Sequence, residues 1–325
     1  MNTKRIIGTV FAIIGIVAVL SCAAFARVRQ REQCSVIEAL RTTEREHGWR
    51  VLLSERGVFY LDLGSSSVRP LYLGNKSAPR TAFIGMASLN PAGNKIVFSE
   101  SSDLRSYSLT IVDLVQHTHE QLLQIPYLLG PRWSKDGNLI AFEGTTEVST
   151  GPSNLYLYNP HERELSLLVS EDLKGGDFLF CWAPNGRAIV YQSGDDKIKV
   201  VDIESKQTKT IDSGQFPTWS PNGLYISYQS SGSDYSLYNI ETRQKKFLLK
   251  GGSLRGGVVW SPDSRYIVYA RASGALRGLL SDMLGGVDSY GDLYAMDLQS
   301  NVSVRLHSHD GSIYPTDWSP IQIGM

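Results

Sequence analysis

Cysteine is scarce in this chain, with three in 325 residues: Cys22 in an apolar run, Cys34 in a charged segment and Cys181 beside a tryptophan. That spacing builds no disulfide framework, and Cys181 reads as a small buried hydrophobe. An excess of charge is missing too, because 32 Lys and Arg balance 32 Asp and Glu. Without a net positive field, nucleic acid is not an expected partner. Catalytic signatures are also lacking: there is no G-x-S-x-G and no H-E-x-x-H.

What the chain does have is one phrase, written repeatedly. "ASLNPAGNKIVFSE", "RWSKDGNLIAFEG", "CWAPNGRAIVYQS", "TWSPNGLYISYQS", "VWSPDSRYIVYAR" and a truncated "DWSPIQIGM" share an anchor at Leu89, Trp133, Trp182, Trp219, Trp260 and Trp318, spaced by 44, 49, 37, 41 and 58 residues. In "PTWSPNGLYISYQS", Pro221 presets the second position of a turn, Asn222 suits the third, and Gly223 supplies the φ > 0 that closes it. Leu224, Ile226 and Tyr228 then alternate with smaller or polar residues, the period of a half-buried strand. A second motif, a short strand ending in a turn, follows each full copy: "LTIVDL", "LYLYNP", "IKVVDI", "YSLYNI" and "LYAMDL", with "VFYLDL" ahead of the first anchor. A period near 40 to 45 with strands in every unit specifies propeller blades.

The chain enters partway through a blade, with "RVLLSE", "VFYLDL" and "VRPLYL", and closes on a lone anchor strand, "IYPTDWS". The expectation is an all-β fold over residues 49–325, a six-bladed β-propeller of four-stranded blades closed by pairing the N- and C-terminal strands. The "WSPNG" and "WSPDS" turns, each followed by an "IxY" strand and later by a strand like "LYAMDL", resemble the WD-like repeats of TolB-type six-bladed propellers across residues 49–320. The resemblance implies the fold, and a module that serves in such proteins as an adaptor or as an accessory domain on peptidases. TolB itself carries an α/β domain before its propeller, whereas here only about twenty residues of stalk precede the blades, too few for such a domain.

The N-terminal residues are of another kind. Lys4 and Arg5 precede an uncharged run over residues 6–26, long enough to span a bilayer as a helix. Three readings stay open for residues 1–26: a retained transmembrane anchor with charges on both flanks, a signal segment cleaved after "AFA", or lipidation at Cys22. Each attaches the chain to the secretory route, with the propeller on the extracytoplasmic, periplasmic side of a bacterial membrane. Residues 27–48 are charged, lack proline and end in glycine, which suggests a helical stalk. Its stripe of Val36, Ile37 and Leu40 is expected to rest on the propeller rather than build a coiled coil.

Repeated Trp, Pro, Asp and Gly are assigned to packing and turns, so function is expected in the loops between blades and between second and third strands. The loop over residues 271–291 accounts for the 58-residue spacing, and its Leu276, Leu279, Leu280, Met283, Leu284 and Val287 recur at helical spacing before Gly285 and Gly286. Leu276, Leu279, Leu280, Met283 and Leu284 are the expected partner-binding residues, unless that helix caps its own propeller. The weak metal candidates are His307, His309 and Asp310 of "HSHD", with the "HTH" at 117–119 weaker still. Acidic loop residues Asp103, Glu147, Asp177, Asp195, Asp196 and Asp234 would matter only by converging. The reading is a membrane-attached adaptor for a protein or peptide, with no cofactor; the alternative is an enzyme or carbohydrate-binding propeller working at the channel mouth.

Overall fold

The computed structural model describes residues 26, 28–46, 49–54, 58–62, 65, 67–72, 83–84, 86–101, 105–147, 153–173, 180–230, 234–250, 256–272, 290–308 and 314–320. They form an all-β, propeller-like arrangement with one long helix, α1, over residues 28–46.

The terminal sheet contains β1 (Trp49–Ser54), β2 (Val58–Asp62) and β3 (Ser67–Tyr72), completed by β24 (Tyr314–Pro320) in the order β24-β1-β2-β3. In a second sheet the short β4 (Phe83–Ile84) and β5 (Ser88–Leu89) both pair with β6 (Lys95–Ser101), followed by β7 (Tyr107–Asp113) and β8 (Thr118–Ile125). A third holds β9 (Tyr127–Trp133), β10 (Ile140–Thr145), β11 (Ser153–Asn159) and β12 (Glu164–Leu173). A seven-stranded sheet runs through β13 (Phe180–Trp182), β14 (Ala188–Gln192), β15 (Lys197–Asp202), β16 (Thr208–Trp219), β17 (Tyr225–Ser230), β18 (Tyr235–Asn239) and β19 (Lys245–Leu249). The last contains β20 (Val259–Trp260), β21 (Tyr266–Ala272), β22 (Tyr290–Asp297) and β23 (Val302–Ser308). Every pairing is antiparallel, and Val51 of β1 stands opposite Trp318 of β24, so the two ends of the β chain share one ladder.

Apolar residues on alternate strand positions meet face to face between sheets. Leu52 and Tyr60 pack with Ile96 and Phe98, Val97 and Leu109 with Trp133 and Phe142, and Ala141 and Leu155 with Trp182 and Tyr191. Within the seven-stranded sheet Val190 and Ile198 meet Ile226 and Tyr228. Tyr235 and Leu237 pack with Trp260 and Ile267, and Val268 and Leu293 with Leu53 and Trp318. α1 joins that last cluster through buried Val36 and Leu40, while Gln33 Nε2 donates to the Ser303 carbonyl at 3.2 Å. No helix among the described residues is long and apolar enough to cross a membrane. The apolar run of residues 6–26 lies outside them apart from Ala26.

The turn chemistry follows the repeated letters. The Gly223 N–H donates to the Ser220 carbonyl and Gly223 sits at φ 78°, a left-handed conformation that costs glycine nothing. In the corresponding turn Ser264 takes φ 60° without being glycine. The first Ser holds the turn from inside. Ser220 Oγ bonds Asn222 Oδ1 and accepts the Tyr225 N–H, and Ser134 and Ser261 repeat the pattern. In "CWAPNG" Ala183 has no hydroxyl to do so. The Asp or Asn ending the second motif closes the outer hairpin: Asp113, Asn159 and Asn239 each accept two backbone N–H groups. Hydrogen bonding from the Gln116 N–H leads the causes that hold Asp113 below the usual carboxylate range.

Candidate functional site

The inner strands enclose a cavity of about 360 Å³. Trp133, Trp182, Trp219, Trp260 and Trp318 line it together with Pro91, Pro184, Pro221 and Pro262 of the repeated turns, so it opens on the face that carries those turns. Between the tryptophans comes one further residue per repeat, the one just before each anchor: Ser88, Arg132, Cys181, Thr218, Val259 and Asp317. In a strand, successive side chains point to opposite faces. An anchor packed into a seam therefore sends its predecessor into the channel.

Polar bonds tie this girdle across sheets. Asp317 Oδ2 accepts the Leu89 N–H at 3.3 Å, and its Oδ1 accepts the Trp318 N–H at 2.8 Å. The Trp182 indole donates to the Arg132 carbonyl at 3.1 Å, and the Trp260 indole reaches Thr218 Oγ1 at 3.2 Å and Ser227 Oγ at 3.0 Å. The longest link runs from Arg132 Nη1 on β9 to the Thr316 carbonyl on β24, 3.3 Å away. It bypasses β5 of the intervening sheet. Thr316 is free for it because β24 is bulged there: Leu52 pairs with Asp317 and Leu53 with Pro315, which leaves Thr316 opposite no residue.

The expected site residues fare differently. Leu276, Leu279, Leu280, Met283, Leu284 and Val287 lie outside the described residues, in the stretch between β21 and β22. So do His309 and Asp310, as well as Asp103 and Asp177. His307 is not in an interblade loop but in β23, paired opposite Leu293. In "HTH" only His117 is in the turn; His119 belongs to β8, 3.3 Å from Glu100 and stacked on Tyr72. Asp195 is held by the Ser193 hydroxyl, which leads the causes lowering its carboxyl below the usual range, and Asp196 accepts from Gln192. Glu147 lies exposed in a bend of its own. Among the described residues no group of three His, Cys, Asp or Glu could hold a metal ion.

Cys181 departs from expectation, since it is half-exposed and lines the cavity. The channel set as a whole was missed by assigning the motif to packing and turns alone. Its signal was present in the sequence: the variable letter directly before each constant anchor.

No family model matches the chain, and no curated protein matches it. Solved structures do. TolB from Acinetobacter baumannii is similar with a TM-score of 0.66 at 20% identity, covering 83% of this chain and 66% of its own, so this chain spans just under two thirds of that protein. The nidogen chain of a nidogen/laminin complex is similar at TM-score 0.58 and 10% identity, over 83% of this chain and 97% of that one. An oligogalacturonate lyase in complex with manganese is similar at TM-score 0.52 and 15% identity, over 68% and 70%. Likeness at such identities establishes the propeller fold and nothing finer.

Proposed function

We propose that this chain is a closed six-bladed propeller, held at a membrane outside the cytoplasm, that binds a protein or peptide partner in its turn-face cavity. Six blades follow if the 12-residue β16 serves two of them: it pairs with β15 through its first half and with β17 through its second. Closure is supported by the β1/β24 ladder and by the apolar clusters that join each sheet to the next and the last to the first. Attachment rests on the uncharged run over residues 6–26. The printed titles of the neighbours favour binding over chemistry without deciding it: one is a protein complex and one a lyase.

The observation that carries the binding reading is the cavity. At about 360 Å³ it falls within the range of ligand sites, and its walls of Trp and Pro are apolar and preformed. Cys181 offers a reversible plug. In the full-length chain with Cys22→Ser and Cys34→Ser, a methanethiosulfonate reagent bonds Cys181 alone, and reduction removes it. Capture of a partner from envelope extract is expected to fall on modification and return on reduction. If the plug leaves capture intact while Leu279→Ser, Leu280→Ser and Met283→Ser abolish it, the 271–291 insertion is the recognition element instead. An enzyme or carbohydrate reading would gain from turnover or binding of oligogalacturonate blocked by the same plug.

A further inference from the structure

We propose that the cavity selects a ligand that presents a carboxylate beside apolar groups, such as an acidic segment of a peptide, and that Arg132 is the residue that reads it. This deepens the binding reading above and rests on it. The charged residues lining the cavity are Arg132, Lys135 and Asp317, two cations against one carboxylate, in walls otherwise made of Trp, Pro, Val and small polar residues. The carboxylate is engaged by backbone, one oxygen by the Leu89 N–H and the other by the Trp318 N–H. The cations stand together on one wall: Arg132 ends β9 next to its anchor Trp133, and Lys135 lies three residues on, exposed at the turn.

The Arg132 bond to the Thr316 carbonyl makes it a strut across the channel. Its partner there is a neutral carbonyl at 3.3 Å, a weak acceptor for a guanidinium. A ligand carboxylate is a better one, because charge-assisted bonds to Arg are shorter, stronger and often bidentate. A carboxylate entering from the turn face passes Lys135 and exchanges with the Thr316 carbonyl at Arg132. The strut then swings from closing the channel floor to holding the ligand. Peptides of equal size without the charge meet the same apolar walls and leave the strut in place.

The test uses the full-length chain and two capped peptides, acetyl-Leu-Asp-Leu-amide and acetyl-Leu-Asn-Leu-amide, titrated against tryptophan fluorescence, since five of the six tryptophans line the cavity. The Asp peptide is expected to bind about tenfold more tightly than the Asn peptide, the scale of one charged hydrogen bond, and the preference should shrink in high salt. Arg132→Gln keeps a donor for the Thr316 carbonyl while removing the charge, and should bring the two peptides to within about twofold. Lys135→Gln, on an exposed turn where folding is not at stake, should reduce the preference by less. Equal affinities for the two peptides in the unaltered chain, or no saturable binding of the Asp peptide at millimolar concentration, overturn the proposal. Should the Cys181 plug still block partner capture while the peptides bind equally, the carboxylate selection fails and the binding reading stands.

Discussion

Two seams of this molecule are built on opposite principles. In the middle of the chain, β16 runs without a break from the ladder of β15 into that of β17, and the apolar cluster beside it holds only four buried residues, Val190, Ile198, Ile226 and Tyr228. Where the two ends of the β chain meet, the last and terminal sheets bury thirteen apolar residues, and α1 is laid over them. Continuity of the backbone already holds the middle seam, so it tolerates polar construction. The terminal seam has only noncovalent pairing of β24 with β1, and burial must supply what connectivity does not.

The polar construction is specific and occurs twice. Asp212 of β16 accepts from the Tyr228 hydroxyl and from Lys245 Nζ at 2.9 Å. Glu171 of β12 accepts from the Tyr191 hydroxyl at 3.3 Å and from Lys199 Nζ at 2.7 Å. In each, an acid on the outer strand of one meander meets a Tyr of the repeated "IxY" strand and a Lys in the next. Burial leads in pushing both tyrosines above the usual phenol range, and the neighbouring acid adds to it. At Asp212 burial works to raise the carboxyl, but the bonds from Tyr228 and Lys245 outweigh it and leave it lowered.

The contrast can be broken most severely at the terminal seam. Deleting residues 312–325 removes β24 and one side of its ladder, and the cooperative thermal transition should disappear; an unchanged transition would show that the ladder does not close the ring. Leu40→Ala removes from the same seam a side chain that is 1% exposed, for an expected loss of about 3 kcal/mol in denaturant unfolding. A loss below about 1 kcal/mol would mean that α1 lies on the sheets without bracing them. At the middle seam Tyr228→Phe should cost less, about 1.5 kcal/mol, by deleting one hydrogen bond to a charged acceptor.

The pH dependence has a definite sign. Because the Asp212 carboxyl is lowered in the folded state, the stability it gives is complete above the unfolded carboxylate value of about 3.9 and is lost as pH falls through the folded one. Asp212→Asn should therefore flatten the acid limb of the stability profile, below about pH 5, while leaving its slope near neutrality unchanged. The smallest expected effect is a gain. Ala183→Ser restores the hydroxyl that the turns at Ser134, Ser220 and Ser261 use, within reach of Asn185 and the Ala188 N–H, and should add about 1 kcal/mol. No gain would indicate that this turn departs from its siblings.

The contrast also separates what the sequence made legible from what it did not. Turn, anchor and strand period are local: Pro221, Asn222 and Gly223 sit side by side, and the structure uses each as its chemistry requires. The pairing of Val51 with Trp318 was legible as well, because three strands at one end and one at the other leave a single arrangement without a bare edge. The Asp212–Tyr228–Lys245 contact was not, since its members sit in different repeats and no period links an outer-strand acid to the next meander. The channel residues were legible in principle and overlooked. Arg132 and Asp317 precede their anchors by one residue, but a repeat is recognised by what it keeps constant, and a binding surface on a repeat is written in what varies.

The measurement that bears most directly on the binding site is a cross-linking map. A photoreactive amino acid is placed either at Lys135, at the mouth of the cavity, or at Met283, in the insertion, with the full-length chain in its own membranes. Adducts to one defined partner protein from position 135, lost when Cys181 is plugged, are the expected result. Adducts to that partner from position 283 alone, indifferent to the plug, would contradict the account and move recognition to the opposite side of the blades.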